Sequence, residues 1–237
     1  MDPAHRIARL ADARLYFVCD AGFTPVELDG LVSQALAGGA DIVQLRDKHA
    51  PPGALRAAAG LFRDAAAEAG ALFILNDEPE LAAEVGADGV HVGQDDTPVE
   101  QARELAGEGM LVGLSSHEPT QLDAAMAGSG AARPDYLSVG PVWETPTKAG
   151  RPAAGIDYVR YAAERLPETD PASIPWFAIG AIDETTVGEV RAAGATRIVV
   201  VRAIRDAEEP LDATRALREA IAGASADRSR RGSEALQ

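Results

Sequence analysis

Residues 42–48 read Ile42-Val43-Gln44-Leu45-Arg46-Asp47-Lys48, a buried-strand pattern that runs directly into a polar tip. Side chains along a strand alternate between its two faces, so Gln44, Arg46 and Lys48 should share one side. If that side faces the lumen of a barrel, an amide and two cations lie together at its mouth, where they suit a phosphorylated ligand. The alternative is an exposed strand end whose charges are solvated.

The order of a strand followed by a helix repeats along the chain. Short apolar runs predict strands at 15–19, 42–45, 72–75, 89–92, 111–114, 136–139, 176–179 and 198–201. Helical patterns lie at 25–37, 53–69, 79–85, 98–105, 119–127, 156–166, 185–193 and 211–222. Strict alternation implies a parallel sheet, and eight such units are the number that closes a (β/α)8 TIM barrel.

An open, doubly wound sheet is the second possible architecture. It is disfavoured because Asp20-Ala21-Gly22-Phe23, and not a glycine-rich dinucleotide-binding turn, follows the first strand. Gly39-Ala40-Asp41 and Gly86-Ala87-Asp88 repeat one helix-to-strand joint. Thr97-Pro98-Val99-Glu100 predicts a capping box at a helix start.

Length and composition limit the domain count and the class of partner. We expect a lead-in over residues 1–14, one barrel domain over 15–223 and a disordered tail over 224–237. The 22 basic and 37 acidic residues leave a formal charge of -15, which argues against a broad surface for nucleic acid or anionic membrane.

A single cysteine, Cys19, excludes an internal disulfide and a multi-cysteine zinc site, and we expect it to be a small buried side chain. No apolar run approaches the roughly 20 residues that span a bilayer, and the N-terminus lacks a signal-peptide layout. We therefore expect a cytoplasmic protein.

Active sites of such barrels lie at the carboxyl ends of the strands, and polar residues follow almost every predicted strand. They are Arg46, Lys48, Asn76, Asp77, Gln94, Asp95, Asp96, Ser115, Ser116, His117, Glu144, Thr145, Thr147, Lys148, Gly180 and Arg202. Asp77 and Asp96, with cations around them, suit a Mg²⁺ that ligand phosphate oxygens also hold. A paired acid and base is the alternative use of these carboxylates.

Three later loops predict phosphate binding. Thr145-Pro146-Thr147-Lys148 offers two hydroxyls and an ammonium, and Gly180-Ala181-Ile182 and Arg202-Ala203-Ile204 follow strands seven and eight. Loops at those two positions commonly hold phosphate on backbone N–H groups. Two phosphate sites result, one near strands two to four and the other near strands seven and eight.

The histidines and tryptophans do not predict a catalytic group. His91 lies between Val90 and Val92, so we expect a hydrogen-bonded core or lumen histidine, and His117 should cap the next helix. No second histidine at ligand spacing supports a zinc site. Trp143, Trp176 and Phe177 should pack, although Trp143 in its long loop could cover a ring.

Six segments in series resemble the thiamine-phosphate synthase family. They are 44–48, 76–77, 89–96, 113–115, 140–148 and 178–180, and the resemblance spans residues 15 to about 222. The resemblance implies a transferase that joins hydroxymethylpyrimidine diphosphate to a carboxylated thiazole phosphate, with release of pyrophosphate and, with that thiazole, carbon dioxide. It implies small phosphorylated substrates and Mg²⁺ as cofactor.

Site residues follow from the same resemblance, segment by segment. Arg46, Lys48, Ser115 and Lys148 would be catalytic, and Asp77 and Asp96 would bind Mg²⁺. The pyrimidine diphosphate would be held by Gln44, Arg46, Lys48, Asn76, Ser115 and Lys148. The thiazole phosphate would be held by Thr145, Thr147 and the backbone near Ala181, Val201 and Arg202, and the substrate-binding set also includes Leu45, Asp47, Pro146 and Gly180. The implied mechanism is dissociative and needs no general base.

Two positions depart from the family pattern. Members usually have Gly-Gly where this chain has Gly180-Ala181, and several have serine at the place of Arg202. If position 181 has a positive φ, alanine there costs roughly 1 to 2 kcal/mol. Arg202 could strengthen phosphate binding or crowd the thiazole.

Three other functions compete with this hypothesis. A thiazole tautomerase on the same fold generally lacks the diphosphate-binding residues that this chain has. A catalytically silent barrel could bind thiamine precursors as a sensor or partner subunit. A phosphate-binding barrel of the tryptophan-pathway type would not call for the Asp77 and Asp96 pair.

Overall fold

The computed structural model describes residues 1–145 and 152–223. Eight parallel strands pair in chain order, and the eighth pairs with the first to close the barrel. The strands are β1 (Leu15–Cys19), β2 (Ile42–Leu45), β3 (Leu72–Asn76), β4 (Gly89–Val92), β5 (Leu111–Ser116), β6 (Tyr136–Val139), β7 (Trp176–Ile179) and β8 (Ile198–Val200). The predicted TIM-barrel fold is confirmed.

Helices lie between the strands, as the alternation predicts. They are α1 (Pro3–Asp12), α2 (Pro25–Ala37), α3 (Pro52–Ala69), α4 (Pro79–Val85), α5 (Val99–Ala106), α6 (Pro119–Ala127), α7 (Ile156–Arg165), α8 (Val187–Ala192), α9 (Arg202–Arg205) and α10 (Pro210–Ala222). Helices α1 and α9 were not predicted from the sequence pattern. No helix within the described residues combines the length and the apolar character needed to cross a membrane.

The strand side chains divide into two apolar layers. Outward-facing residues such as Phe17, Val43 and Leu45 pack against the helices. Inward-facing residues such as Ile42 and Ile74 fill the lumen. Cys19 is buried in the outer layer, as expected, and burial raises the pKa of its thiol to about 12.

The unpredicted helix α1 lies across the amino-terminal end of the barrel. Its Leu10 packs with the lumen side chains. Arg6 Nε donates to Asp88 Oδ1 at 3.0 Å, and Arg197, 7% exposed, donates to the carbonyl oxygens of Ala13 and Ala11. Because these contacts close one end of the lumen, any ligand must enter from the other end.

The repeated glycine-alanine-aspartate joints have a clear role. Asp41 Oδ2 accepts the backbone N–H groups of Arg14 and Leu15, and Asp88 Oδ2 accepts that of Phe73. Each aspartate thereby satisfies backbone donors at the start of the neighbouring strand, which would otherwise be buried without a partner. These joints hold the strand register, and with it the positions of the residues at the opposite strand ends.

The capping box predicted at Thr97 is wrong. Helix α5 begins at Val99 with Pro98 as its cap residue, and no side chain caps it. The helix therefore begins one residue later than the pattern implied, and Thr97 stands outside the cap position. The same tetrapeptide, Thr-Pro-Val-Glu, does form a capping box before α2, where Thr24 and Glu27 bond reciprocally.

Candidate active site

Two adjoining cavities open at the carboxyl ends of the strands. The first is lined by Tyr16, Val18, Gln44, Arg46, Asn76, His91, Ser115, Ser138, Pro141, Thr145, Ile179, Gly180, Val199 and Val201. The second is lined by Thr145, Ile179, Gly180, Ala181, Ile182, Asp183, Val199, Val201, Arg202, Ala203 and Asp206. Their shared wall includes Thr145, Gly180 and Val201, so ligands in the two cavities would be neighbours.

The polar side chains at the end of β2 and just after it lie in two different places. Gln44 and Arg46 line the first cavity, as the alternation predicts. The strand ends at Leu45, and beyond it Lys48 turns instead toward the loops after β3 and β4. Leu45 is buried among the helices, and Asp47 accepts the backbone N–H groups of its own loop. Strict alternation therefore holds only as far as Arg46.

Lys48 lies beside the two aspartates of the predicted magnesium site. Its Nζ is 2.8 Å from Asp77 Oδ2 and 3.7 Å from Asp96 Oδ1, and the aspartate side chains are 20% and 31% exposed. The hydrogen bond to Asp77 is the main cause that raises the pKa of Lys48. The ammonium thus stays charged between two carboxylates.

The pKa values of the two carboxylates shift in opposite directions. Burial raises the pKa of Asp77 and repulsion from Asp96 adds to the rise, while the hydrogen bond from Lys48 opposes it. Burial also acts to raise the pKa of Asp96, but hydrogen bonds from Asp77, the Gly93 N–H and Lys48 outweigh it and the pKa is lowered. Two acidic groups in such close contact favour an added cation.

The local backbone conformation fixes the positions of Asp77 and Asp96. Asp77 has a φ of 65°, a left-handed conformation that aspartate tolerates better than most residues. The Gly93 N–H donates to Asp96 Oδ2 at 2.9 Å. A Cβ at position 93 would lie 2.5 Å from that same oxygen, so a larger residue there would displace the Asp96 carboxylate.

His91 is buried in the lumen and hydrogen-bonded, as expected. Its Nδ1 lies 3.2 Å from Tyr136 Oη and its Nε2 lies 3.0 Å from Ser115 Oγ. Gln94 Nε2 donates to the carbonyl oxygen of Ser115 at 2.6 Å, which fixes the end of β5. Ser115 is thereby held from both its side chain and its backbone.

The loop after β7 contains a left-handed alanine. Ala181 has a φ of 50° and Gly180 a φ of 117°. A Cβ at Gly180 would lie 2.6 Å from Pro141 Cα, so this position requires glycine. Because its φ is positive, Ala181 bears the strain of about 1 to 2 kcal/mol expected for alanine in this conformation.

The carboxylates that border the second cavity are engaged elsewhere. Asp183 Oδ1 accepts the backbone N–H groups of Thr185 and Thr186 in the turn before α8. Asp206 is paired with Arg205, whose Nε lies 2.7 Å from Asp206 Oδ1. Within residues 1–145 and 152–223, Arg202 forms no ion pair, so its charge is available to an anion in this cavity.

His117 does not cap the following helix, so that prediction is wrong. Its Nδ1–H donates to the carbonyl oxygen of Gly140 at 2.6 Å, and α6 has Glu118 at its cap position without a side-chain bond. The ring is drawn to the loop after β6, because the Gly140 carbonyl offers a nearby acceptor. Trp176 and Phe177 pack in the core as expected.

Part of the predicted phosphate loop lies outside the described residues. This applies to Pro146, Thr147 and Lys148. Thr145, the last described residue before them, lines both cavities. Its position places the start of this loop at the boundary between the cavities.

Three lumen residues were not predicted as site residues from the sequence. Tyr16 and Ser138 line the first cavity, Tyr136 lies beside them in the lumen, and both tyrosines are fully buried. Because side chains two apart on a strand share a face, the sequence does predict that Tyr136 and Ser138 point the same way from β6. Their contacts with His91 join distant segments and could not be read from spacing alone.

Within the described residues, no three or more histidine, cysteine or acidic side chains gather where they could hold a metal ion. Two carboxylates, Asp77 and Asp96, do lie together at one rim beside Lys48. Mg²⁺ characteristically binds one or two carboxylates and takes its remaining oxygens from water and substrate phosphates. The donor set fits that pattern.

Comparisons with known proteins point to one family. The family model for thiamine monophosphate synthase matches residues 15–204. Thiamine-phosphate synthase from Arthrobacter sp. (strain FB24) is 46% identical over 233 residues, covering 92% of this chain and 98% of the relative. The enzyme of that name from Thermus thermophilus is 52% identical over 191 residues, covering 80% of this chain and 87% of the relative.

A solved structure of thiamine phosphate pyrophosphorylase from Pyrococcus furiosus is also similar. It matches with a TM-score of 0.78 and 30% identity, over 91% of this chain and 98% of that one. The family model thus spans all eight strands of the barrel. The chain belongs to the thiamine monophosphate synthase family.

Proposed function

We propose that the protein is a transferase of thiamine biosynthesis that joins hydroxymethylpyrimidine diphosphate to thiazole phosphate or its carboxylated form. The products are thiamine phosphate and pyrophosphate, with carbon dioxide from the carboxylated thiazole. The observation that carries this proposal is the pair of adjoining cavities, each bordered by its own arginine. A reaction between two phosphorylated substrates needs this arrangement.

The first cavity suits the pyrimidine and its diphosphate. Gln44 and Ser115 offer hydrogen-bonding groups for the ring, while Arg46 and Asn76 stand at the mouth. Lys48, between Asp77 and Asp96, lies next to Asn76 along the same rim. We assign the diphosphate to this rim on the grounds of charge. The family resemblance adds Lys148, which lies outside the described residues.

Asp77 and Asp96 would hold Mg²⁺ at that rim. When bound, the ion would supply positive charge to the oxygens of the leaving diphosphate. The fit rests on two hard carboxylates that already lie close enough for one to raise the pKa of the other. Calorimetric titration of Mg²⁺ in the presence of pyrophosphate, with Asp96→Asn as the variant, tests this assignment without turnover.

The second cavity suits the thiazole phosphate. Arg202 and the backbone around Gly180 and Ala181 form its wall, and Thr145 connects it to the first cavity. Arginine forms strong paired hydrogen bonds with phosphate. This placement brings the thiazole ring to the shared wall, next to the pyrimidine.

The proposed chemistry is dissociative. The C–O bond to the diphosphate breaks first, and the ring amino group stabilises the resulting pyrimidine methyl cation by donation. The thiazole nitrogen then attacks through its lone pair, so no base must remove a proton. Arg46, Lys48 and Lys148 offset the charge on the departing diphosphate, and the two cavities supply orientation.

Pyrophosphate release tests the function. Purified protein should release it only when both substrates and Mg²⁺ are present, with thiamine phosphate confirmed by mass. Asp96→Asn should abolish release while the circular dichroism spectrum stays native, and Asp64→Asn, an exposed change on α3, should leave it unaltered. Ligand binding without product would favour a silent binding protein, and isomerisation of the thiazole alone would favour a tautomerase.

A further inference from the structure

One arginine, Arg205, connects the loop after β1 to the turn after β8 through two carboxylates. Its Nη1 lies 2.7 Å from Asp20 Oδ2, and its Nε and Nη2 lie 2.7 Å and 3.3 Å from the two carboxylate oxygens of Asp206. We call Asp20, Arg205 and Asp206 the arginine clamp. Of these three residues, Asp206 belongs to the wall of the second cavity.

The loop after β1 holds Asp20 in place for this contact. Asp20 Oδ1 accepts the Gly22 N–H at 3.0 Å, which leaves Oδ2 for Arg205. Asp47 Oδ2 accepts the Ala21 N–H at 3.2 Å, which ties the same loop to the loop after β2. Arg205 therefore has an anchored partner outside its own helix.

The short helix α9 and the residue after it carry both the clamp and a cation of the second cavity. The Arg205 N–H donates to the carbonyl oxygen of Val201 at 2.9 Å, and the Asp206 N–H donates to that of Arg202 at 2.9 Å. Ile204, on the same turn, is fully buried in the core. Since Arg202 and Asp206 both line the second cavity, a phosphate bound by this arginine has a carboxylate as its neighbour.

A carboxylate beside a phosphate needs compensation, because the two negative charges repel each other. Asp183 also lines this cavity. Burial acts to raise the pKa of Asp183, but hydrogen bonds from Thr185 and Thr186 outweigh it and lower the pKa. Asp206 has Arg205 instead, and hydrogen bonding to Asp206 is the main cause that raises the pKa of that arginine. The charge of Asp206 is therefore offset by the guanidinium of Arg205.

We propose that Arg205 is a positioning residue that allows the second cavity to accept a phosphate group. It engages both carboxylate oxygens of Asp206 and so offsets the charge of this aspartate, while the bond to Asp20 keeps the guanidinium in place. Loss of the arginine would leave the Asp206 carboxylate to face the phosphate with its full charge. This inference rests on the proposed function, because thiazole phosphate is the anion assigned to this cavity.

Binding of thiazole phosphate, measured by calorimetry in wild type and in Arg205→Met, tests the proposal. Methionine keeps much of the side-chain length and removes the charge, so the Kd should rise by about fivefold or more. In turnover, the KM for thiazole phosphate should rise by a similar factor, while the KM for pyrimidine diphosphate stays within about twofold. Arg205→Lys keeps the charge but loses the paired hydrogen bonds, and its Kd should lie between the other two.

A double variant, Arg205→Met combined with Asp206→Asn, separates charge compensation from a purely structural role. Removing the carboxylate as well should return the Kd to within about twofold of the wild-type value, because no charge at position 206 then needs to be offset. A purely structural clamp predicts no recovery, since the double variant still lacks the arginine that binds Asp20. Asp206→Asn alone should bind thiazole phosphate at least as tightly as wild type.

Arg165→Met is the matched control. It also removes one positive charge and breaks a pair between an arginine and a carboxylate, in which Arg165 Nε lies 3.1 Å from Asp123 Oδ1 on the neighbouring helix. Neither residue of this pair is among the described residues that line the two cavities. The Kd for thiazole phosphate should therefore stay within about twofold of the wild-type value.

Two results would overturn the proposal. One is a folded Arg205→Met that binds thiazole phosphate as tightly as wild type, and the other is a folded double variant that shows no recovery. Circular dichroism establishes folding, and Arg205→Gln, which is also uncharged, replaces the methionine variant if that variant does not fold.

Failure of the proposed function has a different signature. Wild type that binds thiazole phosphate and forms thiamine phosphate, with Arg205→Met unchanged, would refute the role of the clamp and leave the function intact. Wild type that neither binds thiazole phosphate nor forms thiamine phosphate would refute the proposed function, and this inference with it.

Discussion

Ala181→Gly should stabilise the protein, in contrast to the usual effect of glycine. Ala181 has a φ of 50°, where an L-residue with a Cβ is strained by about 1 to 2 kcal/mol and glycine is not. Glycine also gives the unfolded chain more freedom, which offsets about 0.4 to 1 kcal/mol. The net gain should be about 0.5 to 1 kcal/mol, or about 1 to 4 °C in Tm for a chain of this length.

Gly180→Ala provides the opposite change at the adjacent position. Its φ of 117° is unfavourable for alanine, and the new Cβ would lie 2.6 Å from Pro141 Cα. Strain and overlap together should destabilise by about 2 to 4 kcal/mol. Both variants are measured by urea denaturation followed by circular dichroism. A clear loss of stability in Ala181→Gly, with the m-value unchanged, would refute the argument from backbone conformation.

Three further predictions concern other regions of the chain. Thr24→Ala should lower Tm by about 2 to 4 °C because it removes a capping box. Thr97→Ala, in the identical tetrapeptide, should change Tm by less than about 1 °C because no side chain caps α5. Equal effects of the two substitutions would contradict this difference between the caps of α2 and α5. Native Cys19 should resist thiol reagents at pH 8 and react only on unfolding, since it is buried and its pKa is raised to about 12; rapid native labelling would contradict this. Lys148→Ala should strongly reduce turnover and leave the Tm native, and unaltered turnover would remove Lys148 from the diphosphate site.

Much of the fold could be predicted because local patterns carry it. Short β-branched runs, helix-ending glycines and strict alternation predict a closed barrel, and the barrel in turn predicts which residues meet at one end. Arg46, Asn76 and Ser115 indeed line one cavity, and Gly180, Ala181 and Arg202 line its neighbour. Helix α1 had its own signal, since Asp2 caps it and Pro3 opens it, but its one buried residue gave a weak apolar pattern.

The remaining features depend on tertiary contacts that sequence spacing does not encode. The identical tetrapeptides at 24–27 and 97–100 precede helices α2 and α5, but only the first forms a capping box. Next to the second tetrapeptide, the Asp96 carboxylate accepts a hydrogen bond from the Gly93 N–H. The conformation of Ala181 follows from the path of its loop. The hydroxyls of Tyr16 and Tyr136 lie 3.1 Å apart although 120 positions separate them in the sequence, and only the closed barrel makes them neighbours.

The KM of each substrate in Arg46→Met and Arg202→Met tests the two-cavity arrangement most directly. Loss of a hydrogen bond to a charged group is worth about 1.5 to 3 kcal/mol, or about tenfold to a hundredfold in affinity. Arg46→Met should raise the KM for pyrimidine diphosphate by that factor and Arg202→Met the KM for thiazole phosphate, each leaving the other KM within about twofold. If each variant altered both values equally, or Arg202→Met altered only the pyrimidine value, the assignment of one substrate to each cavity would be wrong.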